Sequence, residues 1–437
     1  MYKKFFNWPK NTSLNTKIFY PKNLIELKKK INNENFIPYG NGKSYNDGAL
    51  NRKRLISIKY FNQIINFDYK KGLLNVEAGA ILSDILPKIV ERGWFIPTTP
   101  GTKNISLGGM VANNVHGKNI IINSIKSYIK SIKLLLPNKK IIECSPNKRS
   151  DIFYLTVGGF GLTGIILSVE IKLKKINSNL IEQKITEFKT YNQLLKLSNT
   201  NKNYEYNAFW INDFNNNRIS GLSFYGKHKQ KKENEIKFTY SIKKMNLFIY
   251  LLLKLKFNIS LFNSISNFIY LKYCSFFYKK NCTLNDFFYP QDKFPDWNIA
   301  YGKKGSITVQ FISREKDFKS VMGEISNFFK LNNLFSSFVI IKKMNENEKY
   351  LNFSGTGFSI SIDFKIDKKY QILVDFFNNL IKRYKLKVNL SKDLITNYDN
   401  IKHYRKFNLF KKKVIKLNNK KISSLFSNRI KITWKKK

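Results

Sequence analysis

Acidic residues are scarce in this sequence. Its 437 residues hold 29 Asp and Glu against 78 Lys and Arg, a formal net charge of +49. Such an excess attracts anions: nucleic acid, phospholipid or a phosphorylated substrate. Lys, Asn and Ile are abundant throughout, as in a chain drawn from an AT-rich genome, and this bias accounts for most of the excess. The basic residues form no single stripe and no nucleic-acid reader motif is present, so nucleic acid is not an expected partner. Cysteine is equally sparse. Cys144, Cys274 and Cys282 are odd in number and show no CxxC spacing, so they indicate neither a disulfide framework nor a zinc site, and a reducing compartment fits. No metal is expected. The longest apolar run, residues 247–253, falls far short of the ~20 residues that span a bilayer. The first residues carry charge but no apolar core or cleavage site, so no signal peptide is read.

What is present argues for a folded chain. Aromatics make up 15% of the residues, which excludes general disorder, and the length suits two to three domain-sized units. Three glycine-rich turns each border a strand. The first spans residues 39–48, with Gly40, Gly42 and Gly48. The second runs over residues 97–119 and holds Gly101, Gly108, Gly109 and Gly117 with His116, one of three histidines. The third is residues 157–166, with Gly158, Gly159, Gly161 and Gly164. Glycine lets the backbone approach a ligand closely and take positive φ, and turns at strand ends gather N–H groups about phosphates. None matches GxGxxG before a helix or GxxxxGK[ST]. Their repetition suits one long, phosphate-bearing cofactor.

The remaining elements are read from local pattern. Residues 24–31 have helical spacing; 36–39, 54–59, 73–79 and 167–173 read as strands. Ser83 is placed to cap a helix running to about Arg92, with Gly93 beyond its end. Residues 127–143 form a hairpin turning at Pro137-Asn138. Strands are expected at 305–313, 336–342 and 358–366, with helices at 316–331 and 368–384. Residues 228–285 mix Phe, Ile, Leu and Tyr with lysines. Two readings stand: a flexible basic flap touching an anionic membrane and a lipid tail, or a packed helical pair with a solvated charged face.

The three turns resemble the FAD-binding domain of the vanillyl-alcohol-oxidase (PCMH-type) flavoproteins. Phe288-Tyr289-Pro290-Gln291-Asp292 through Gly302, with His116-Gly117-Lys118-Asn119, Gln310-Phe311 and Ser391-Lys392-Asp393, is similar to the decaprenylphosphoryl-β-D-ribose oxidase family within it. This likeness implies an α+β chain: an FAD-binding domain at 1–175, a substrate (cap) domain on an antiparallel sheet at 176–386, and a C-terminal return at 387–437.

The resemblance also implies a chemistry. FAD would be held by Gly40, Asn41, Gly42, Lys43, Ser44, Tyr45, Asn46, Asp47, Gly101, Ser106, Leu107, Gly108, Gly109, Asn113, His116, Gly164 and Ile165. Lys392, His116 and Tyr45 are the implied catalytic residues. Gln310, Lys343, Lys118, Ser361 and Trp210 would line the substrate site, with Lys342 able to replace Lys343 by a one-residue slip; Trp297 would be a packing wall. Two departures stand out. Lys43 occupies the place where many relatives carry a histidine bonded to the flavin, implying non-covalent FAD. Ser361 stands at the family's active-site cysteine. The expected activity is oxidation of a sugar hydroxyl to a ketone, on a polyprenyl-phosphate-linked pentose, as the oxidase half of an epimerase in cell-envelope polysaccharide synthesis. An NAD(P)H-dependent short-chain reductase would be its partner, and its place the cytoplasm with peripheral contact at the inner membrane face. The alternative is an aldonolactone or alditol oxidase that releases hydrogen peroxide.

Overall fold

The computed structural model describes residues 2–32, 34–121, 124–200, 203–230, 237–238, 251, 255, 260–276, 279–293, 301–336, 338–347, 349–404 and 406–433. Much of the expected flap, and Trp297, lie outside the described residues.

Three main sheets organise the chain. The first has the order Tyr2–Phe6, Ser13–Phe19, Arg54–Ser57, Ile37–Tyr39, with the last three strands parallel. The second is antiparallel, in the order Ile64–Asp68, Leu73–Glu77, Ile165–Lys172, Ile129–Leu135, Ile141–Cys144. The expected hairpin about Pro137-Asn138 supplies its last two strands. Helix Leu82–Val90 starts at Ile81 without a side-chain cap. Ser83 does not cap it, because it is the helix's second residue; its hydroxyl donates to Asp84 at 3.1 Å. Gly93, at φ +76°, closes the turn after it.

The third sheet is antiparallel and eight-stranded. Its order is Asn281–Thr283, Leu180–Phe188, Ile219–His228, Tyr206–Phe214, Phe338–Asn345, Thr356–Lys365, Ser306–Ser313, Lys387–Val388. Together the elements give an α+β architecture with an antiparallel cap sheet. Its central strands alternate by period two. Ile307, Val309 and Phe311 enter the apolar core, as do Phe358, Ile360 and Ile362. Thr308, Gln310, Ser359, Ser361 and Asp363 face the other way, toward a cavity. Helices Phe318–Leu331 and Tyr370–Tyr384 lie against the core side, where Phe328 and Phe376 stack at 3.9 Å.

The last residues run back to the first sheet. Phe36 bridges to Ile422, and Asn51 Nδ2 donates to the Ser423 carbonyl at 2.6 Å. Arg429 reaches Asp47 at 3.0 Å and Asp393 at 3.2 Å. That guanidinium ties the first glycine turn to the segment carrying Lys392.

Candidate active site

One cavity of about 520 Å³ lies between the glycine turns and the cap sheet. All three turns reach it: Gly40 to Asn46, Gly101 to Gly109, and Gly161 with Gly164. The first turn is fixed from inside. Asn46 Nδ2 donates to the Leu390 carbonyl at 2.7 Å, and Ser44 donates to Asn46 Oδ1 at 2.7 Å. Asn41 Nδ2 donates to the Asn104 carbonyl at 2.8 Å, joining the first turn to the second.

The fit to a phosphate-bearing cofactor rests on this lining. A Cβ on Gly40 would collide with Ser106 Oγ, and one on Gly108 would stand 3.0 Å from the Ala78 Cβ and carbonyl. The backbone approaches that closely only because the side chains are absent. Beside the turns, His116 Nδ1 is buried without a partner. The residues present therefore fit FAD, held by the three turns with Lys43, Tyr45 and Asn113 at their edges.

The second turn is held by a residue that motif reading did not single out for this role. Asp292 accepts from Thr102 Oγ1 at 2.6 Å and from the Lys103 backbone N–H at 2.8 Å. Tyr289 shares a hydrogen bond with Thr99 at 2.7 Å. The Tyr-Pro-Gln-Asp segment therefore braces the second turn.

The opposite wall carries charge. Lys118, Lys342 and Lys392 all line the cavity. Lys342 Nζ donates to the Gly117 carbonyl at 3.1 Å, and Lys118 donates to the Phe287 carbonyl while lying over that ring. Lys392 Nζ sits 5.1 Å from the centre of the Tyr45 ring, which stacks on Trp8 at 5.0 Å. Among the described residues, none of the three ammonium groups has a carboxylate within ion-pair distance. Burial, with Lys392 and Lys118 adding to it, pushes Lys342 down to about 7. Burial brings Lys118 to about 8 and also lowers Lys392, against the opposing pull of Asp363. The same burial drives His116 well below its ordinary range, so its imidazole is neutral at pH 7. Tyr45 moves the other way: burial, then the Asp363 charge, raises its phenol, which stays protonated.

Polar side chains link the remaining wall. Thr308 donates to Asp363 Oδ1 at 2.6 Å, Gln310 Nε2 donates to Ser359 Oγ at 2.9 Å, and Asn389 Nδ2 donates to Gln310 Oε1 at 2.9 Å.

Most of the residues expected from sequence meet here. Lys392, His116, Tyr45, Gln310, Lys118, Ser361 and Trp210 line the cavity, with Gly40, Asn41, Gly42, Lys43, Ser44, Asn46, Gly101, Ser106, Gly108, Gly109, Asn113 and Gly164. Four do not. Lys343 points to the other face of its strand, where it meets Asn199 and Glu315; strand alternation puts Lys342 in its place. Leu107 and Ile165 are core residues, and Asp47 is occupied by Arg429. Asp363, Thr308, Ser359 and Asn389 were missed. The polar-apolar alternation Ser359, Ser361, Asp363 was the signal that could have found three wall positions together.

Residues 23–145 match the family described as FAD binding domain. The chain is an FAD-dependent oxidoreductase acting on CH–OH groups. It carries a PCMH-type FAD-binding domain. It is 27% identical to the decaprenylphosphoryl-β-D-ribose oxidase of Mycolicibacterium smegmatis over 76% of this chain and 74% of that protein. It is 28% identical to the mitochondrial L-galactono-1,4-lactone dehydrogenase 2 of Oryza sativa over 31% of this chain, spanning 23% of that relative. The L-gulonolactone oxidase of Mus musculus is 23% identical over 39% of this chain and 40% of its own length. The likeness to the lactone enzymes thus covers well under half of them, whereas that to the ribose oxidase covers most of both chains.

Proposed function

We propose that this oxidoreductase oxidises a ring hydroxyl of a pentose carried on a polyprenyl phosphate, as the oxidase half of an epimerase. The observation that carries the reading is the cavity's charge. Three half-buried lysines face it together with two carboxylates: Asp286, which is already paired with Lys293 at 2.5 Å, and Asp363, which burial raises above the usual carboxylate range. Ammonium groups placed in low dielectric without counter-ions favour an anionic ligand. A neutral lactone supplies no such charge; a phosphodiester does.

The chain's residues then divide the work. Lys118 and Lys342 hold the anionic group. Gln310, kept in one orientation by Ser359 and Asn389, offers a fixed amide to the sugar. Tyr45 and Asp363 set the surroundings of Lys392, and Lys392 with neutral His116 handles the hydroxyl proton. FAD, when bound, supplies hydride acceptance from the carbon bearing that hydroxyl. The cap sheet covers this region and keeps water from the reacting carbon.

FAD is held non-covalently in this reading, because Lys43 lines the first turn in place of a histidine. Acid precipitation of yellow protein should release the flavin into the supernatant. The substrate reading is tested by product analysis. Incubation with a polyprenylphosphoryl pentose should give a keto sugar that borodeuteride traps with deuterium at one ring carbon. Peroxide release on aldonolactones, with no ketone formed from the lipid-linked pentose, would instead favour a lactone oxidase. A short-chain NAD(P)H reductase is the expected partner, because the ketone must be reduced from the opposite face to invert the centre.

A further inference from the structure

The helix Ser260–Phe276 is built inside out. Its side facing the cap sheet carries Asn263 and Asn267, both buried, with Leu271 and Cys274. Asn263 Nδ2 donates to the Ser336 carbonyl at 3.3 Å, but the Oδ1 atoms of both asparagines are buried without partners. The opposite side holds Phe262, Ile265, Phe268, Ile269 and Tyr273. Phe268 and Ile269 are each 60% exposed. Positions 262, 265, 269 and 273 follow helical spacing and form one continuous stripe. A helix at a water-exposed surface places such residues inward and its amides outward. Here water meets the aromatics.

We propose that this stripe docks on the interface of an anionic lipid bilayer. Three observations select that occupant. The charge along this stretch of sequence is of one sign: between Glu235 and Asp286 the sequence has eight lysines and no Asp or Glu. Lys272, Lys279 and Lys280 are all exposed on or just after the helix. An apolar stripe flanked by lysines matches the acyl boundary beneath anionic headgroups. A second copy is disfavoured, since two chains of net charge +49 repel. The helix also adjoins the cavity: Tyr270 lines it and meets Trp210 edge-on at 4.9 Å. Docking therefore brings the cavity to the lipid surface.

The docking surface stands apart from the substrate reading, and its test uses no substrate. FAD-loaded protein is sedimented with phosphatidylcholine vesicles, with and without phosphatidylglycerol, at low and high salt. Binding should require phosphatidylglycerol and weaken with salt. F268E/I269E should reduce the partition coefficient at least about tenfold while flavin absorbance and circular dichroism stay unchanged. K279E/K280E, which leaves the stripe intact, should weaken binding most at low salt, and it serves as the test if the first variant does not fold. Absence of binding to either vesicle, or binding that both variants retain, would overturn the proposal. A dimer in sedimentation velocity that F268E/I269E disrupts would overturn it in favour of a second copy.

Discussion

Lys342 and Lys343 are neighbours in sequence and opposites in place. The strand sends one into the cavity and the other to Glu315 at the surface. K342M should therefore raise KM for an anionic substrate about tenfold or more, in keeping with ~1.5–3 kcal/mol for a charged hydrogen bond. K343M should leave KM unchanged. Steady-state kinetics on both variants checks this. The depressed values also set a pH dependence. Between about 7 and the ordinary lysine value of 10.5, folded Lys342 binds fewer protons than the unfolded chain does. Its contribution thus makes stability rise with pH across that window. An anion raises the Lys342 and Lys118 values, so ligand binding near pH 8 should take up protons and weaken as pH rises. Calorimetry in buffers of different ionisation enthalpy measures that uptake; proton release would contradict the assignment. Asp363 acts through Lys392, whose value it raises. D363N should shift the Lys392 limb of the kcat profile to lower pH.

At the scale of elements, the glycine turns and their braces line the cavity that would take the cofactor. G108V forces a branched side chain against Ala78 at a point where even a Cβ is tight. The variant should purify without flavin, and a yellow G108V protein would show that the second turn does not cradle FAD. Asp292 braces the same turn through two hydrogen bonds. D292A should cost about 1–3 kcal/mol, from the donors it leaves unsatisfied, and weaken FAD affinity in a fluorescence titration. These elements differ in how far the sequence revealed them. The three turns and the hairpin at Pro137-Asn138 were legible because their signals are local. The choice between Lys342 and Lys343 was not, since it depends on strand parity that only the paired register fixes: Lys342 stands opposite Ser359. Asp292 could be quoted within a motif, but its partners lie 189 and 190 residues away.

Over the whole molecule, long-range polar ties join what the sequence separates. Arg429 pairs with Asp47 and Asp393, both largely buried. R429M leaves two carboxylates without their cation and should cost about 3–5 kcal/mol, read as a fall in the calorimetric melting temperature. Nothing near Arg429 in sequence pointed to this, because its partners are 382 and 36 residues distant. The same closure explains how charge spread through the chain converges on one cavity. Composition displayed the lysines but not which three would meet in it. No described helix is long and apolar enough to cross a membrane.

The central claim is that the cavity joins an FAD cradle to a site for an anionic sugar. Anaerobic mixing of the FAD-loaded protein with a polyprenylphosphoryl pentose tests it most directly. The account predicts bleaching of the visible flavin band with that substrate, lost in K392M and slowed at subsaturating substrate in K342M. Bleaching by aldonolactones alone, with the lipid-linked pentose inert, would contradict it.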